Sequence, residues 1–255
     1  MAATARLNQA APGQLGAPTH QQYIRGGALI PLHKITSENK ADTCNMEFLR
    51  KTAVIDAEMT QQHDDIAALQ ETRLAGVGII KEAEYTFFWF GKEPDESRIY
   101  GTGFAVANRL ICSTELPYAI SDRISVINMN TKQGNLRIKN AYAPALAGSP
   151  ADKDNFYFQL EDTIRKASCL ERTVLLGDIN ARTRADFESW LECLGRFGVG
   201  KVNENGERLL ELRSRNNLCV TNTMFPGKPH RKVFWSHPHS KTWHQLDFVI
   251  ISRKR

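Results

Sequence analysis

Residues 174–180 (Val-Leu-Leu-Gly-Asp-Ile-Asn) constrain the fold most, because an apolar run stops there at a glycine and polar residues follow at once. A short apolar run closed by glycine predicts a buried strand. Residues that follow such a strand emerge at the edge of a sheet, where open α/β folds carry their sites. In extended chain Asp178 and Asn180 would point the same way. They suit proton transfer, metal binding or contact with an anion, although Asp and Asn are also ordinary turn residues.

A second segment of the same design lies earlier in the chain, at residues 65–72 (Asp-Ile-Ala-Ala-Leu-Gln-Glu-Thr). Here Glu71 occupies the position at which the strand would end. If Glu71 and Asp178 emerge at one sheet edge, they form a pocket of oxygen ligands that suits Mg²⁺ or Mn²⁺. The alternative is that Glu71 is a solvated residue that opens a loop.

Two further segments place polar residues beside apolar strands. Residues 137–144 predict a strand broken by proline, in which Tyr142 either contacts a phosphate or packs. Asp247 stands directly before the apolar run 248–251. A carboxylate at that point is unusual in a core strand unless it has a partner.

These motifs occur in the order Leu69–Thr72, Tyr142-x-Pro144, Gly177–Asn180 and Leu246–Phe248. In this order they resemble the endonuclease/exonuclease/phosphatase superfamily, which includes deoxyribonuclease I. The stretches 198–210, 221–225 and 237–244 resemble the endonuclease domains of RTE-type non-LTR retrotransposons and their host-encoded relatives. The resemblance covers roughly residues 45–252. It implies a two-sheet α/β sandwich of the deoxyribonuclease I-like type and a metal-dependent endonuclease that hydrolyses DNA with Mg²⁺ or Mn²⁺.

The resemblance also implies a role for each motif residue. Glu71 matches the metal-binding glutamate, and Asp178 matches the aspartate that lies at the metal site and activates the attacking water. Asn180 matches the asparagine that steadies the phosphate, and Tyr142 a tyrosine that contacts it. Asp247 matches the aspartate that orients a catalytic histidine.

The two ends of the chain match the superfamily least. The superfamily opens with a strand that ends in asparagine, and Asn45 is the candidate for this metal-site residue, with room for a helix at about 46–61 after it. The superfamily closes with a Ser-Asp-His motif on its last strand, which the sequence does not reach by Arg255. We therefore expect a domain over residues 41–255 that lacks its C-terminal strand and has impaired activity. A non-catalytic relative that binds nucleic acid or protein is the alternative, and a phosphatase of the same superfamily is a third hypothesis.

Composition narrows the class of protein further. With 42% apolar residues in 255, the chain can bury one substantial core. Residues 1–37 contain no Asp or Glu, and we expect residues 1–40 to form a poorly ordered leader rather than a signal peptide. No apolar run is long enough to span a membrane. Five cysteines without a C-x-x-C pair are typical of a reduced intracellular protein, nuclear or cytoplasmic and not secreted.

Residues 213–245 contain no acidic residue, and aromatic residues alternate there with basic ones. Such a stretch suits phosphate contacts and base stacking, although a solvated loop with a few core aromatics is the alternative. We expect DNA contacts from Trp243, Arg231, Lys232 and Lys241.

Between the motifs, strands and helices alternate. The sequence predicts strands at 103–109, 124–130, 135–142, 174–176, 218–221 and 248–251, and helices at 152–168 and 205–215.

Overall fold

A computed structural model of the protein describes residues 21–25, 28–32, 44–93, 95, 100–168, 171–183, 194–198, 201–226, 235–236, 243–244 and 247–253. The chain forms two compact units, Met1–Glu115 and Leu116–Arg255, where the sequence predicts a leader over residues 1–40 and one domain over residues 41–255. Each unit contains a six-stranded sheet and at least one helix.

The first unit contains one sheet whose paired strands are all antiparallel, in the order β2-β1-β3-β6-β5-β4. Its strands are β1 (Gln21–Arg25), β2 (Ala28–Leu32), β3 (Ile66–Gln70), β4 (Val77–Lys81), β5 (Tyr85–Phe90) and β6 (Thr102–Ala107). Helix α1 (Cys44–Gln62) precedes β3, so the helix predicted after Asn45 is confirmed.

Helix α1 packs on this sheet through a short apolar stripe. Ile55 and Met59, one turn apart and buried, join Tyr85 and Phe87 of β5 in the core cluster. The buried carboxylate of Asp56 accepts hydrogen bonds from the backbone N–H groups of Glu84 (3.0 Å) and Tyr85 (2.8 Å). The helix is therefore tied to the start of β5 by both apolar and polar contacts.

Two strands of the first sheet lie within the segment that the sequence predicts as a poorly ordered leader. Strands β1 and β2 form a hairpin, and β1 pairs with β3. They contain a Tyr-Ile pair and an Ala-Leu-Ile run, residue types that fit a pleated sheet. The rest of residues 1–40 lies outside the described residues.

The second unit contains a mixed sheet in the order β11-β14-β10-β9-β8-β7. Its strands are β7 (Tyr118–Ser121), β8 (Ile124–Thr131), β9 (Gly134–Tyr142), β10 (Arg172–Asp178), β11 (Leu218–Val220) and β14 (Asp247–Ser252). Strands β9 and β10 are parallel, and helix α2 (Pro150–Arg165) crosses over between them, as a parallel pair requires. A two-stranded ribbon, β12 (Trp235–Ser236) with β13 (Trp243–His244), completes the described strands.

One face of the second sheet is covered by α2 and by helix α3 (Glu204–Arg215). The core contains Phe156 and Leu160 of α2, Leu209 of α3, and Leu175 and Ile250 of the strands. Each such side chain contributes roughly 1.5–3 kcal/mol when it is removed from water. The fold prediction of two sheets with helices is confirmed.

The predicted strands and helices all appear, with ends that differ by a few residues. Helix α2 begins at Pro150 rather than Asp152, because Ser149 caps it by accepting a hydrogen bond from the Asp152 N–H. Strand β10 extends through Gly177 to Asp178, so Gly177 does not end it. The sequence does not predict strands β1, β2, β4, β5, β7, β12 and β13.

Candidate active site

Three of the motif residues form one row across neighbouring strands of the second sheet. Asp178, the last residue of β10, pairs with Tyr142 of β9 on one side and with Asp247 of β14 on the other. Directly paired residues present their side chains to the same face, with Cβ atoms about 4.5–5.5 Å apart in antiparallel pairs. Asp178 is 2% exposed and Asp247 is 4% exposed. The sheet thus brings two carboxylates and a phenol together.

This row faces away from helices α2 and α3. The adjacent row of the sheet consists of the sequence neighbours of these residues, Ala141, Gly177 and Phe248. Ala141 and Phe248 belong to the helix-covered core, and side chains alternate between faces along a strand. The motif residues therefore lie on the face opposite the helices.

Gly177 sets the spacing of this row because no side chain fits there. A Cβ atom at Gly177 would lie 1.8 Å from the carbonyl oxygen of Ala141 in β9. The two parallel strands approach closely just before Asp178, and only glycine permits that approach.

Asn180 turns the chain sharply after β10. It adopts a left-handed conformation (φ 49°), and its backbone N–H donates to Asp178 Oδ1 at 2.9 Å. The interpretation of extended chain, with both side chains parallel, is therefore wrong: an Asx-type turn forms because Asn tolerates the left-handed region. The Asn180 side chain instead donates through Nδ2 to the carbonyl of Ala143 at 2.9 Å.

The N-terminus of helix α3 braces this turn from outside the sheet. Asn203 donates through Nδ2 to the Asn180 carbonyl at 3.0 Å, and the fully buried Asn205 donates to the carbonyl of Pro144 at 2.9 Å. The loops after β9 and β10 are thus held by one helix end.

Helix α2 holds the same helix end in place. The phenol of Tyr157 donates to the Asn205 carbonyl at 3.0 Å. Burial raises the pKa of Tyr157 above its ordinary range, so the phenol remains a donor. Lys153, 2% exposed, donates to Glu204 Oε2 at 2.7 Å and to the Leu146 carbonyl at 2.8 Å. The hydrogen bonds of Lys153 lower the pKa of the Glu204 carboxyl.

Arg123 lies beside Tyr142 in the same unit. Its guanidinium carbon is 5.3 Å from the centre of the Tyr142 ring, and Nη1 donates to the Tyr142 carbonyl at 3.1 Å. The Tyr142 N–H donates to the Arg123 carbonyl at 2.8 Å. This contact fixes the tyrosine backbone and adds positive charge next to its ring.

Asn222 fixes the strand that carries Asp247. Its Oδ1 accepts from the Val249 N–H at 2.7 Å, and its Nδ2 donates to the Asp247 carbonyl at 3.3 Å. The carboxylate therefore sits on a backbone that is held on both sides of Phe248.

Glu71 belongs to the first unit, directly after β3. It too is left-handed (φ 52°), as is Arg73 (φ 53°), and the two side chains form an ion pair of 3.1 Å. The Thr72 and Arg73 N–H groups each donate at 3.1 Å, to the carbonyls of Gly101 and Tyr100. The prediction that Glu71 and Asp178 emerge at one sheet edge is wrong, because β3 and β10 belong to different sheets.

The remaining predicted site residues are Asn45, Trp243, Arg231, Lys232 and Lys241. Asn45 lies in the first turn of α1 rather than at a strand end. Trp243 lies in β13, and Arg231, Lys232 and Lys241 lie outside the described residues. Their roles stay predictions.

The arrangement in the second unit suits a cation. Two buried carboxylates side by side repel each other unless positive charge or hydrogen-bond donors compensate them. Within the described part of the chain, no group of three or more His, Cys, Asp or Glu side chains could hold a metal ion. Mg²⁺, however, is commonly bound by one or two carboxylates, with water and substrate phosphate completing its shell.

Comparison with solved structures shows that the α/β fold of two sheets with helices matches deoxyribonuclease I-like neighbours. The endonuclease domain of TRAS1, a telomere-specific non-LTR retrotransposon, matches with a TM-score of 0.50 and 14% identity, over 77% of this chain and 76% of that domain. A humanized D. rerio TDP2 matches with a TM-score of 0.51 and 11% identity, over 85% of this chain and 80% of TDP2.

Two curated proteins are similar to this chain in sequence. Craniofacial development protein 2 of Bos taurus is 26% identical over 204 residues, which are 80% of this chain and 34% of the relative. The protein of the same name from Tragulus javanicus is 24% identical over 204 residues, 80% of this chain and 35% of the relative. The chain thus spans about a third of the length of these curated relatives. No family model matches the chain. These likenesses fit the endonuclease/exonuclease/phosphatase superfamily, with similarity to retrotransposon endonucleases, as the motifs predicted.

Sequence reasoning assigned no role to Arg123, Asn203, Asn205 or Asn222. A signal existed for Asn203, because an asparagine directly before a helix with acidic residues in its first turn predicts an N-cap. Nothing local marks the other three, whose partners are distant in sequence. No helix among the described residues is long and apolar enough to cross a membrane.

Proposed function

We propose that the chain carries the metal-dependent phosphodiesterase site of a DNA endonuclease. The observation that carries the proposal is the register of the second sheet, which aligns Tyr142, Asp178 and Asp247 in one row beside the Asn180 turn. Hydrolysis of a phosphodiester needs a base for water and charge stabilisation around the phosphoryl oxygens, and these residue types supply both.

Asp178 is the base in this proposal. Its Oδ1 accepts from the Asn180 N–H at 2.9 Å, which orients the carboxylate at the end of β10. A carboxylate held in this way accepts a proton from the attacking water as the water adds to phosphorus. Asn180 and Tyr142 would contact the phosphate through an amide and a phenol. Asp247 keeps the role that the resemblance implies, which is to orient a catalytic histidine.

The donor set fits a divalent cation because it consists of oxygen ligands only. Asp178 is the residue of the second unit that would hold Mg²⁺ or Mn²⁺, with the carboxylate of Asp247 on the neighbouring strand. When bound, the ion supplies polarisation of a phosphoryl oxygen. Glu71 keeps its predicted role as a metal ligand, and so does Asn45, each as a separate prediction.

DNA is the proposed substrate because the acid-free stretch at residues 213–245 is basic and aromatic. Lys and Arg neutralise phosphates, and aromatic rings stack on bases. The same feature supports a second candidate function, which is DNA binding without cleavage. Free cysteines without a C-x-x-C pair support an intracellular, nuclear or cytoplasmic location.

Nicking of supercoiled plasmid with Mg²⁺ or Mn²⁺ tests the proposal. The chain is compared with Asp178→Asn, which keeps the shape of the side chain but removes the base, and with Glu71→Gln. We expect Asp178→Asn to lower the nicking rate by about 10²–10⁴-fold. Asp154→Asn is the matched control, because Asp154 is exposed on α2 and contacts Arg208.

Three results separate the candidates. Nicking that needs the metal and is lost in Asp178→Asn but kept in Asp154→Asn supports the endonuclease. Nicking that survives in Asp178→Asn contradicts the assigned site. Folded protein that binds plasmid with a steep salt dependence, but does not nick it, favours the binding function.

A further inference from the structure

We propose that Asn203 and Asn205 are positioning residues, whose side-chain amides hold the Asn180 turn in the shape that phosphodiester hydrolysis needs. This inference rests on the proposed function, because the turn carries Asp178 and Asn180. Neither asparagine belongs to the row of Tyr142, Asp178 and Asp247, and each acts through the loop backbone.

The two polar side-chain atoms of Asn203 make different hydrogen bonds. Its Oδ1 accepts from the N–H groups of Gly206 and Arg182, each at 2.9 Å, and the first of these bonds caps helix α3. Its Nδ2 donates to the Asn180 carbonyl at 3.0 Å. Asp and Ser cap helices as well as Asn does, but they offer no amide donor. The donor is therefore the feature of Asn203 that capping does not explain.

Asn205 joins the two loops that leave β9 and β10. Its Nδ2 donates to the Pro144 carbonyl at 2.9 Å and to the Asn180 carbonyl at 3.4 Å. The residue is fully buried, and its own carbonyl accepts from Tyr157 at 3.0 Å. Asn205 thus fixes the loop after Tyr142 relative to the loop after Asp178.

The N-terminal end of helix α3 packs closely against the loop after β10. A Cβ atom at Gly206 would lie 2.0 Å from the Arg182 carbonyl oxygen. The Lys153–Glu204 ion pair of 2.7 Å holds the first residue of the same helix against α2. Because the helix end is fixed, its two amides determine where the Asn180 carbonyl lies. A left-handed residue such as Asn180 persists only when its surroundings hold it.

Asn203→Asp separates positioning from capping. The variant keeps an oxygen that caps Gly206, but it places a carboxylate oxygen opposite the Asn180 carbonyl. We expect kcat for plasmid nicking to fall by about 10–100-fold, since a misplacement of about 1 Å is known to cost this much. The KM for DNA should stay within about twofold, and the melting temperature within about 3 °C, because the cap remains.

Asn216→Ala is the matched control at the other end of α3. Asn216 is the C-cap residue and donates to the Leu212 carbonyl at 2.8 Å. Its loss weakens the same helix without contact with the Asn180 turn. A merely structural role for Asn203 would make Asn216→Ala and Asn203→Asp alike, with rates that follow the melting temperature.

Amide hydrogen exchange supplies a readout that does not need activity. In Asn203→Asp, exchange of the Asn180 N–H, which bonds Asp178 Oδ1, should rise about tenfold or more, while the Gly206 N–H stays protected. An Asn205→Ala variant, if folded, should have the same effect on Asn180.

The outcomes distinguish the two proposals. If the wild-type chain nicks and Asn203→Asp nicks equally well, the positioning role is overturned while the endonuclease stands. If the wild-type chain does not nick with either metal, the proposed function fails. Exchange at Asn180 then decides whether the asparagines hold the turn, and unchanged exchange in the variant overturns that role too.

Discussion

The strand exits after β3 and after β10 look alike in sequence but differ in how the chain holds them. Each ends a buried strand and reaches a left-handed residue, Glu71 with φ 52° and Asn180 with φ 49°. After β10, side-chain amides from Asn203 and Asn205 hold the turn from a helix end. After β3, the glutamate forms an ion pair with Arg73, whose side chain is 61% exposed.

The difference shows that the position of a polar residue at a strand end is fixed by the elements that contact it. Buried amide hydrogen bonds fix atoms because a lost partner is costly, whereas an exposed ion pair is weak and screened by salt. Backbone hydrogen bonds from Thr72 and Arg73 also hold the exit after β3. We therefore expect side-chain substitutions to disturb the exit after β10 more than the exit after β3.

The largest effect should come from Gly177→Ala, directly before Asp178. The new Cβ atom would lie 1.8 Å from the Ala141 carbonyl, so β9 and β10 must separate. We expect a loss of about 3 kcal/mol in the free energy of unfolding, measured by urea denaturation. Gly76→Ala in the first unit is the control, since it has open space and only the strain of φ 60°, about 1 kcal/mol. Equal losses of unfolding free energy in Gly177→Ala and Gly76→Ala would contradict the expected difference between the two strand exits.

A smaller effect should come from pH, through the fully buried Lys139 of β9. Burial, assisted by nearby Arg137 and opposed by Glu171, lowers its pKa from 10.5 to about 7. Between pH 7 and 10.5 the unfolded chain binds the proton more strongly, so stability rises with pH in that window and is lost as pH falls. We expect a gain of about 2 kcal/mol from pH 7 to 9.

Lys139→Met should remove most of that pH dependence and raise stability at pH 7, because no amine then has to lose its proton when the chain folds. Thermal unfolding at pH 7 and at pH 9 measures the change in stability of each variant. Lys132→Met, at an exposed turn in the same unit, should keep the wild-type slope. The prediction fails if the two variants have the same slope.

Tyr157→Phe should cost about 1 kcal/mol, because the Asn205 carbonyl loses a buried hydrogen bond of 3.0 Å. Urea denaturation measures it, and Phe158→Leu is the control, since Phe158 is 74% exposed on the same helix. A loss no greater than that of the control would mean that α2 does not brace the exit after β10.

The smallest effect should come from Arg73→Ala at the exit after β3. The Arg73 side chain is 61% exposed in its ion pair with Glu71, so we expect a loss below about 1 kcal/mol that shrinks further at high salt. Thermal unfolding at low and high salt measures it. A loss larger than that of Tyr157→Phe would show that the exit after β3 is the more tightly held of the two.

The sequence by itself determined the three helices, several of the strands and the polar residues at the strand exits. Apolar runs closed by glycine or followed by polar residues predicted β3, β10 and β14, and helical spacing predicted α2 and α3. These signals are local, since burial and capping depend on residues a few positions apart. The short strands β4 and β7 escaped prediction because they are sheet edges with exposed side chains.

Only the tertiary structure decided which of these residues meet. Asp178 lies 36 residues from Tyr142 (178 − 142) and 69 from Asp247 (247 − 178), and their alignment depends on strand register. A shift of one residue would turn the row to the opposite face. The hydrogen bonds to the Asn180 carbonyl likewise come from Asn203 and Asn205, which lie 23 and 25 residues further along the chain. Register and long-range hydrogen bonds form only when the sheet and its helices pack together, and no local pattern encodes them.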